Sequence, residues 1–494
     1  MLTPQQILDI VETLYPTIDT LNAWITKDLI ERLMVRMGRG KEVFLTATDD
    51  WQLQVYQAGG GHLEAVQREI AKWTKLSDAE IARIFEDAGI KALAYDSDFY
   101  ISHGLEGLSL TQSEGMLRLL EDTYQRTVGT IHNFTRTTAK ASQQRLIKVL
   151  DDAHFKVASG AASYTQAVQE AVGDIANEQI RVKYPTGHED TIETAVLRAV
   201  RTGVAQASGE MAIRGMIERD WDVILVSAHL GARYGDGGEN PSNHFWWQGK
   251  HYSRTGATKD LPLFDVTGYG TGEGLCGWNC RHSFGPGDVR HNPYQDFDAE
   301  ENKKAYDLSQ EQRKMERRIR YTKTKLLGYK TAIENCEDEE ARQKIQEKYD
   351  CLVSQLSLQN KAYNEFCKTN DLKRHSDRLQ TAKWGRSEAS EAVTTAQQLD
   401  AFRTKILSAE KTSTGIAITE VSTHVFTRAR LRELSADQVV DALTNPLDFG
   451  KIRADRSQQF IGEFATVPIN VDTGKIITCW QTSAKKAKKL REKG

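Results

Sequence analysis

Proline is scarce in this chain, with 9 in 494 residues, and none falls in the stretches 17–184 and 294–445. Those stretches lack the residue that most reliably stops a helix. Four of the nine prolines lie between Pro241 and Pro293, and 13 of the 36 glycines fall within 231–287. An all-β protein needs turn residues along its whole length, so this distribution excludes one. Long apolar runs are missing too: nothing approaches the ~20 residues of a membrane span, and no membrane is expected among the partners. The opening MLTPQQILDIVETLYPTID is acidic and periodic, unlike a signal peptide. Cysteine is absent before Cys276; the six are Cys276, Cys280, Cys336, Cys351, Cys367 and Cys479. That is no disulfide framework and fits synthesis in a reducing cytosol.

A net charge of −3 hides an asymmetry, since 401–494 carries +6 and 1–400 carries −9. The chain is too long for one ordinary core, and about two to four domains are expected. The pattern predicts a mainly α, multidomain protein. It divides into a helical arm (1–220), an irregular turn-rich middle (221–298), an antiparallel coiled-coil hairpin (299–384), a polar, partly helical linker (385–413) and a small α+β domain (414–494).

In the arm, Thr3 before Pro4 is an N-cap signal. Helices are expected near 61–89, 110–128, 131–157, 163–176 and 189–219, with breaks at Gly59-Gly60-Gly61 and Ser159-Gly160. No catalytic spacing occurs in 1–220. His62, His103, His132, His154 and His188 are isolated and are expected to be packing or surface residues, which makes the arm a scaffold or docking surface.

The middle holds four of the nine tryptophans and five of the twelve histidines. Gly268-x-Gly270-x-Gly272-x-Gly274 is not a nucleotide loop, because no lysine follows in the Walker position and no strand and helix flank it. Cys276-x3-Cys280-x-His282, with His229 and His244 upstream, admits two readings. One is a set of zinc ligands; the other is a loop core held by Trp246, Trp247 and Trp278 with buried thiols. The spacing matches no standard knuckle and only two cysteines are present, which favours the loop core; metal binding is left for metal analysis to decide.

Leu308, Gln312, Met315, Ile319, Thr322, Leu326, Tyr329 and Ile333 step by four and three. After Glu337–Glu340 the pattern resumes at Ile345, Tyr349, Leu352, Leu356, Gln359, Tyr363 and Phe366. This is a heptad seam on two helices of ~40 Å joined by an acidic turn, expected to project as a spacer or partner-contact arm.

In the last domain a helix carries His424, Arg428 and Arg432 at i, i+4 and i+8, on one face. Ser435 caps a second helix, 436–444. Strands are expected at 459–462, 465–470 and 476–480, with a turn at Asp472-Thr-Gly474. An imidazole beside guanidiniums suits phosphodiester cleavage, moving protons and stabilising phosphorane charge; the alternative is a solvated helix face. Thr478, Trp480 and Thr482 alternate on the last strand, where hydroxyls and an indole can hold a phosphate and stack a base. The tail lysines Lys485, Lys486, Lys488 and Lys489 form a candidate nucleic-acid contact.

Two resemblances extend this reading. Ser227-Ala-His229-x-x-Ala-Arg233, Trp247-Gln-Gly-Lys250-x-Tyr-Ser253 and the run Gly268–Phe284 resemble the signature of phage minor capsid proteins, within the wider head-morphogenesis family of tailed phages, over roughly 1–390. That resemblance implies a virion protein made in the host bacterial cytoplasm. It would sit inside the capsid near the portal, with portal and major capsid proteins as partners. Residues 419–489 resemble the phage-associated nuclease domains of the barnase/EndoU/colicin/RelE group. That resemblance implies a cofactor-free, metal-independent RNase toxin acting on RNA, with His424 as general base or acid and Arg428 as phosphate stabiliser. Arg432 and Lys451 are further phosphate candidates, Thr478 and Thr482 are sheet-face contacts, and an immunity protein is a further partner. The alternative is a purely structural virion protein whose inactive C-terminal domain binds nucleic acid, including packaged DNA.

Overall fold

The computed structural model describes residues 1–45, 48–110, 113–177, 181–184 and 186–492. Among them the chain forms fourteen α-helices and eleven short strands, a mainly α fold with a small α+β unit at its end.

The first helices are α1 (Pro4–Glu12), α2 (Tyr15–Met37), α3 (Lys41–Phe44), α4 (Thr48–Ser102), α5 (Glu114–Ala158) and α6 (Tyr164–Asn177). At the start of α1, Thr3 Oγ1 accepts from the Gln6 amide at 3.1 Å and Gln6 Oε1 accepts from the Thr3 amide at 2.8 Å, a reciprocal cap. Gly59–Gly61 do not break the chain: α4 runs through them for 55 residues. Gly59 and Gly61 allow close packing instead. A Cβ on Gly59 would lie 2.9 Å from Ile147 of α5, and one on Gly61 would lie 2.9 Å from the Arg32 guanidinium of α2. This contact offsets the ~1 kcal/mol that each glycine costs a helix. The two helices expected at 110–128 and 131–157 are one helix, α5; residues 111 and 112 lie outside the described residues. Its buried seam is rich in threonine, and Thr123, Thr127, Thr135 and Thr138 satisfy their hydroxyls on carbonyls three or four residues back.

A two-stranded ribbon of β1 (Arg181–Lys183) and β2 (Glu189–Thr191) leads into α7 (Ile192–Glu218), capped by Thr191. This helix is crowded on several sides where it carries glycine. A Cβ on Gly203 would meet Thr127 of α5 and Phe85 of α4; one on Gly209 would lie 2.9 Å from Phe284; one on Gly215 would lie 2.9 Å from Leu108. Side chains from α4, α5 and the turn-rich middle therefore reach almost to the α7 backbone.

The middle contains β3 (Val223–Val226), α8 (His244–Trp247), β4 (His251–Ser253) and β5 (Phe284–Pro286). They build an antiparallel sheet in the order β4-β3-β5. Asp222 accepts from the Ser253 hydroxyl and from the amides and hydroxyls of Thr255 and Thr258. Burial raises its pKa, but these bonds outweigh that and hold the carboxyl well below its usual range. The glycine-rich run is a backbone crossing. A Cβ on Gly274 would lie 2.3 Å from the Gly268 carbonyl oxygen, and one on Gly277 would lie 2.5 Å from that of Gly272.

The hairpin is α9 (Ala299–Asn335) and α10 (Glu339–Thr369), each capped by an aspartate, Asp298 and Asp338. It is antiparallel, as its heptads predict, but it does not project. Ile319, Leu326, Tyr329, Ile345 and Tyr349 belong to the same hydrophobic core as α2, α5, α6 and α7. The seam accounts for only one face of α9. A second face carries Gly328, whose absent Cβ leaves room for Ile30 of α2 and Ala176 of α6. Buried Asn302 also ties α9 to the middle, accepting from the Gly231 and Ala232 amides and donating to the Ala232 carbonyl.

The polar stretch expected as a linker is mostly the helix α11 (Arg386–Leu407). Ala392 and Ala396 complete the large core, while Leu399, Phe402 and Ile406 begin that of the last domain. There follow β6 (Glu420–Val421), α12 (Thr423–Leu431), α13 (Ala436–Thr444), β7 (Asp448–Phe449), β8 (Ser457–Ile461), β9 (Ala465–Asn470), β10 (Lys475–Ile476), β11 (Trp480–Gln481) and α14 (Ala484–Arg491). The sheet order is β6-β10-β9-β8-β7, antiparallel except for β10 with β6, and β11 also pairs with β9. The strand expected over 476–480 is split. Pro468 lies within β9 and has no N–H to donate; pairing passes from Ile476↔Ile469 to Trp480↔Thr466 with one extra residue accommodated between them. Thr478 sits in that break.

Two glycine substitutions are expected to act in opposite directions. Gly274→Ala forces a Cβ into backbone and should cost about 3 kcal/mol. Gly60→Ala, in α4 with nothing within 4 Å of its Cβ, should stabilise by about 0.5–1 kcal/mol. Thermal unfolding of the two variants beside the parent checks both signs.

Candidate functional site

The residues nominated for phosphodiester chemistry do not form one open cluster. Helix α12 lies on α10, and its basic face meets acidic residues there. His424 Nδ1 is 3.1 Å from Glu347, and Arg428 Nε is 2.7 Å from the other Glu347 oxygen. The guanidinium approaches obliquely, so this is a charge pair more than a hydrogen bond. A second Arg428 nitrogen donates to Gln343 Oε1 at 2.8 Å. One turn along α10, fully buried Asp350 accepts from the Thr427 hydroxyl at 2.6 Å and from Arg430 at 2.8 Å.

Electrostatics follow from these pairings. Burial raises the Glu347 carboxyl, but the His424 hydrogen bond and the His424 and Arg428 charges outweigh it, leaving the group below its ordinary value. At Asp350 burial dominates and the carboxyl is raised despite Arg430.

The other nominated residues are dispersed. Arg432 donates to the Cys479 carbonyl, and Gln481 donates back to the Arg432 carbonyl at 2.6 Å. Buried Thr482 shares a 2.8 Å hydrogen bond with Thr466. Thr478 and Trp480 are half-buried, and Lys451 is exposed on the loop after β7. The basic tail is the helix α14, capped by Ser483 and anchored by buried Ala487, with Lys485, Lys486, Lys488 and Lys489 exposed.

In the turn-rich middle, separate pieces of sequence converge. The Ser283 amide donates to Ser227 Oγ at 3.0 Å, and Arg233 donates to the Trp278 carbonyl at 2.7 Å. Gln248 Oε1 accepts from the His229 amide and contacts His282 Nε2, each at 3.0 Å. His244, Cys280 and His282 are buried, with one potential ligand atom from each lying within 4.8 Å of the others. Buried Cys276 is adjacent: its sulfur and that of Cys280 each lie 3.8 Å from the His282 carbonyl. Burial, then Arg233, pushes the His244 imidazole down to about 3; burial also drives His282 well below its ordinary value. Burial pushes the Cys280 thiol up to about 11 and raises Cys276 as well. Of the tryptophans expected to hold this core, Trp247 is fully buried, Trp246 is half-buried and Trp278 is 57% exposed.

Two further polar groupings had no signal in sequence spacing. His62 Nδ1 lies 2.6 Å from Asp28 and its Nε2 lies 3.0 Å from Ser142 Oγ, an acid–imidazole–hydroxyl series across α2, α4 and α5. Ser142 and His62 are both buried and the Ser142 hydroxyl donates to the Ala139 carbonyl, so the series is an internal tie between helices. Between α7 and α9, Arg198, Arg201, Arg313, Arg317 and Arg318 line a cavity of about 460 Å³ with Glu193 and Glu316. It joins residues more than a hundred positions apart, which no local motif announces.

The mainly helical body, the signature segments joined around β3 and β5, and the embedded hairpin form one architecture. The family model of phage minor capsid protein 2 matches residues 2–354, and the chain belongs to that family. It is accordingly a structural protein of the phage head, located in the virion. Comparison with curated proteins and with solved structures gives no match. The matched segment ends within α10, just past Glu347 and Asp350, so the α12 contact joins the family region to the domain beyond it.

Replacing Asp350 by Ala leaves Arg430 without its carboxylate acceptor and Thr427 with only the Thr423 carbonyl, and should weaken this contact by about 2–3 kcal/mol. Hydrogen exchange in α12 is the measurement. Because the Glu347 carboxyl is lowered in the folded chain, its contribution is complete above the ordinary glutamate value of about 4.3. That contribution should be lost as pH falls through the lowered folded value; Glu347→Gln should remove this acid step in an unfolding profile.

Proposed function

We propose that this minor capsid protein is a structural element of the inner capsid near the portal, in contact with portal and major capsid proteins, and that its C-terminal domain binds nucleic acid without cleaving it. The observation that carries this reading is the occupation of His424 and Arg428 by Glu347. An imidazole and a guanidinium that already face a buried carboxylate are poorly placed to receive a second anion. The exposed lysines of α14 are the groups presented to a phosphate backbone, and packaged DNA is the partner that fits a virion interior.

The second reading, an RNase toxin restrained by an immunity protein, rests on the resemblance of 419–489 to phage-associated nuclease domains and on the α+β architecture. It requires α12 to leave α10 before His424 and Arg428 act on RNA.

The full chain, its His424→Ala and Glu347→Gln variants, and a variant with Lys485, Lys486, Lys488 and Lys489 changed to Ala separate these readings. Salt-dependent DNA binding without RNA cleavage is expected. The lysine variant should lower the salt slope by about 3.6 if each lysine meets one phosphate. RNA cleavage that Glu347→Gln increases and His424→Ala abolishes would establish the RNase instead. Detection of the protein in purified capsids, cross-linked to the portal, tests its position.

A further inference from the structure

We propose that His244, Cys276, Cys280 and His282 form a structural zinc site that staples the turn-rich middle of the protein. The argument begins with the tautomers. His244 Nε2 is 2.8 Å from the Glu273 carbonyl oxygen, which only accepts, so Nε2 carries the proton and Nδ1 the lone pair. For His282 the partner is Gln248 Oε1, whose identity as oxygen is fixed by the His229 backbone amide that also donates to it. His282 Nδ1 therefore carries its lone pair, and it lies 3.7 Å from Cys280 Sγ. A tetrahedral zinc with bonds of about 2.0–2.3 Å sets neighbouring ligand atoms roughly 3.3–3.8 Å apart. Both imidazoles thus have Nε2 anchored on a carbonyl oxygen, the outer hydrogen bond that orients metal-bound histidines.

The sulfur atoms complete the set. The His282 amide donates to Cys280 Sγ at 3.4 Å, a bond that strengthens when the sulfur becomes a thiolate. Cys276 and Asn279 hold positive φ angles of 59° and 57°, which fold the loop so that both sulfurs approach the His282 carbonyl. A dication with one thiolate and two neutral imidazoles would leave net positive charge in a fully buried place, at high cost. Cys276 as the second thiolate cancels that charge. On binding, the two thiols release two protons to solvent, and the metal forms two bonds to sulfur and two to nitrogen. Two sulfur and two imidazole donors in tetrahedral array select zinc among the available dications. The surrounding segment has only three short strands, so a metal would add order where backbone pairing is sparse.

The test uses the full chain with zinc or cobalt(II) as the added ion. Elemental analysis should find one zinc per chain, retained through dialysis without chelator. Cobalt substitution should give the strong visible bands of a tetrahedral site and a near-ultraviolet sulfur-to-cobalt band, and a chelator should lower the thermal midpoint. Cys276→Ser should weaken the sulfur band with cobalt still bound, and Cys280→Ser or His244→Ala should lose stoichiometric metal. His229→Gln, which alters only the ring stacked 4.6 Å from His282, should keep it. Failure of the wild-type chain to take up either ion in one-to-one ratio would overturn the site whatever the variants do. A cobalt spectrum unchanged by Cys276→Ser would overturn the assignment of that ligand.

Discussion

How closely side chains can approach α7 governs the architecture of the first two thirds of the chain. At Gly203, Gly209 and Gly215 its backbone is met by Thr127 and Phe85, by Phe284, and by Leu108 in turn. A larger residue at any of these positions would push apart elements that share one interior. The helical body and the turn-rich middle are therefore held together by steric fit along one helix. Polar ties such as Asp28–His62–Ser142 and Asn302 with the Gly231–Ala232 backbone supplement that fit at its margins.

Much of this was legible in the residues. The prolines marked the turn-rich segment, the 3–4 steps marked α9 and α10, and Ser435 with its capped helix lay where expected. The errors share a cause. Gly59–Gly61 and the polar run after Gly385 were read by local propensity, yet Ile147, Arg32 and the two hydrophobic cores decided their structure. The hairpin was read from its seam alone, and the face of α9 bearing Gly328 has no apolar stripe to announce it. The strand expected over 476–480 was split because Pro468 on β9 has no N–H to offer, a constraint that acts on the neighbouring strand.

The site was legible only one side at a time. His424, Arg428 and Arg432 do share a helix, but their chemistry depends on what faces them. Glu347 and Asp350 lie outside the hairpin seam, and nothing in their spacing named α12 as their counterpart. The cysteines and histidines of the middle were visible as residue types. What made them a set was the hydrogen bonding of Gln248 and Glu273, which orients two rings from different turns of the chain and cannot be read from intervals.

Helix α11 gives its first half to one core and its second half to another. When α10 emerges from a ribosome, the large interior still lacks the covering that Ala392 and Ala396 provide. Nor can the last domain begin without the same helix in place. The last covering of the N-terminal helices thus comes from a segment nearly four hundred residues away, and that segment also starts the next core.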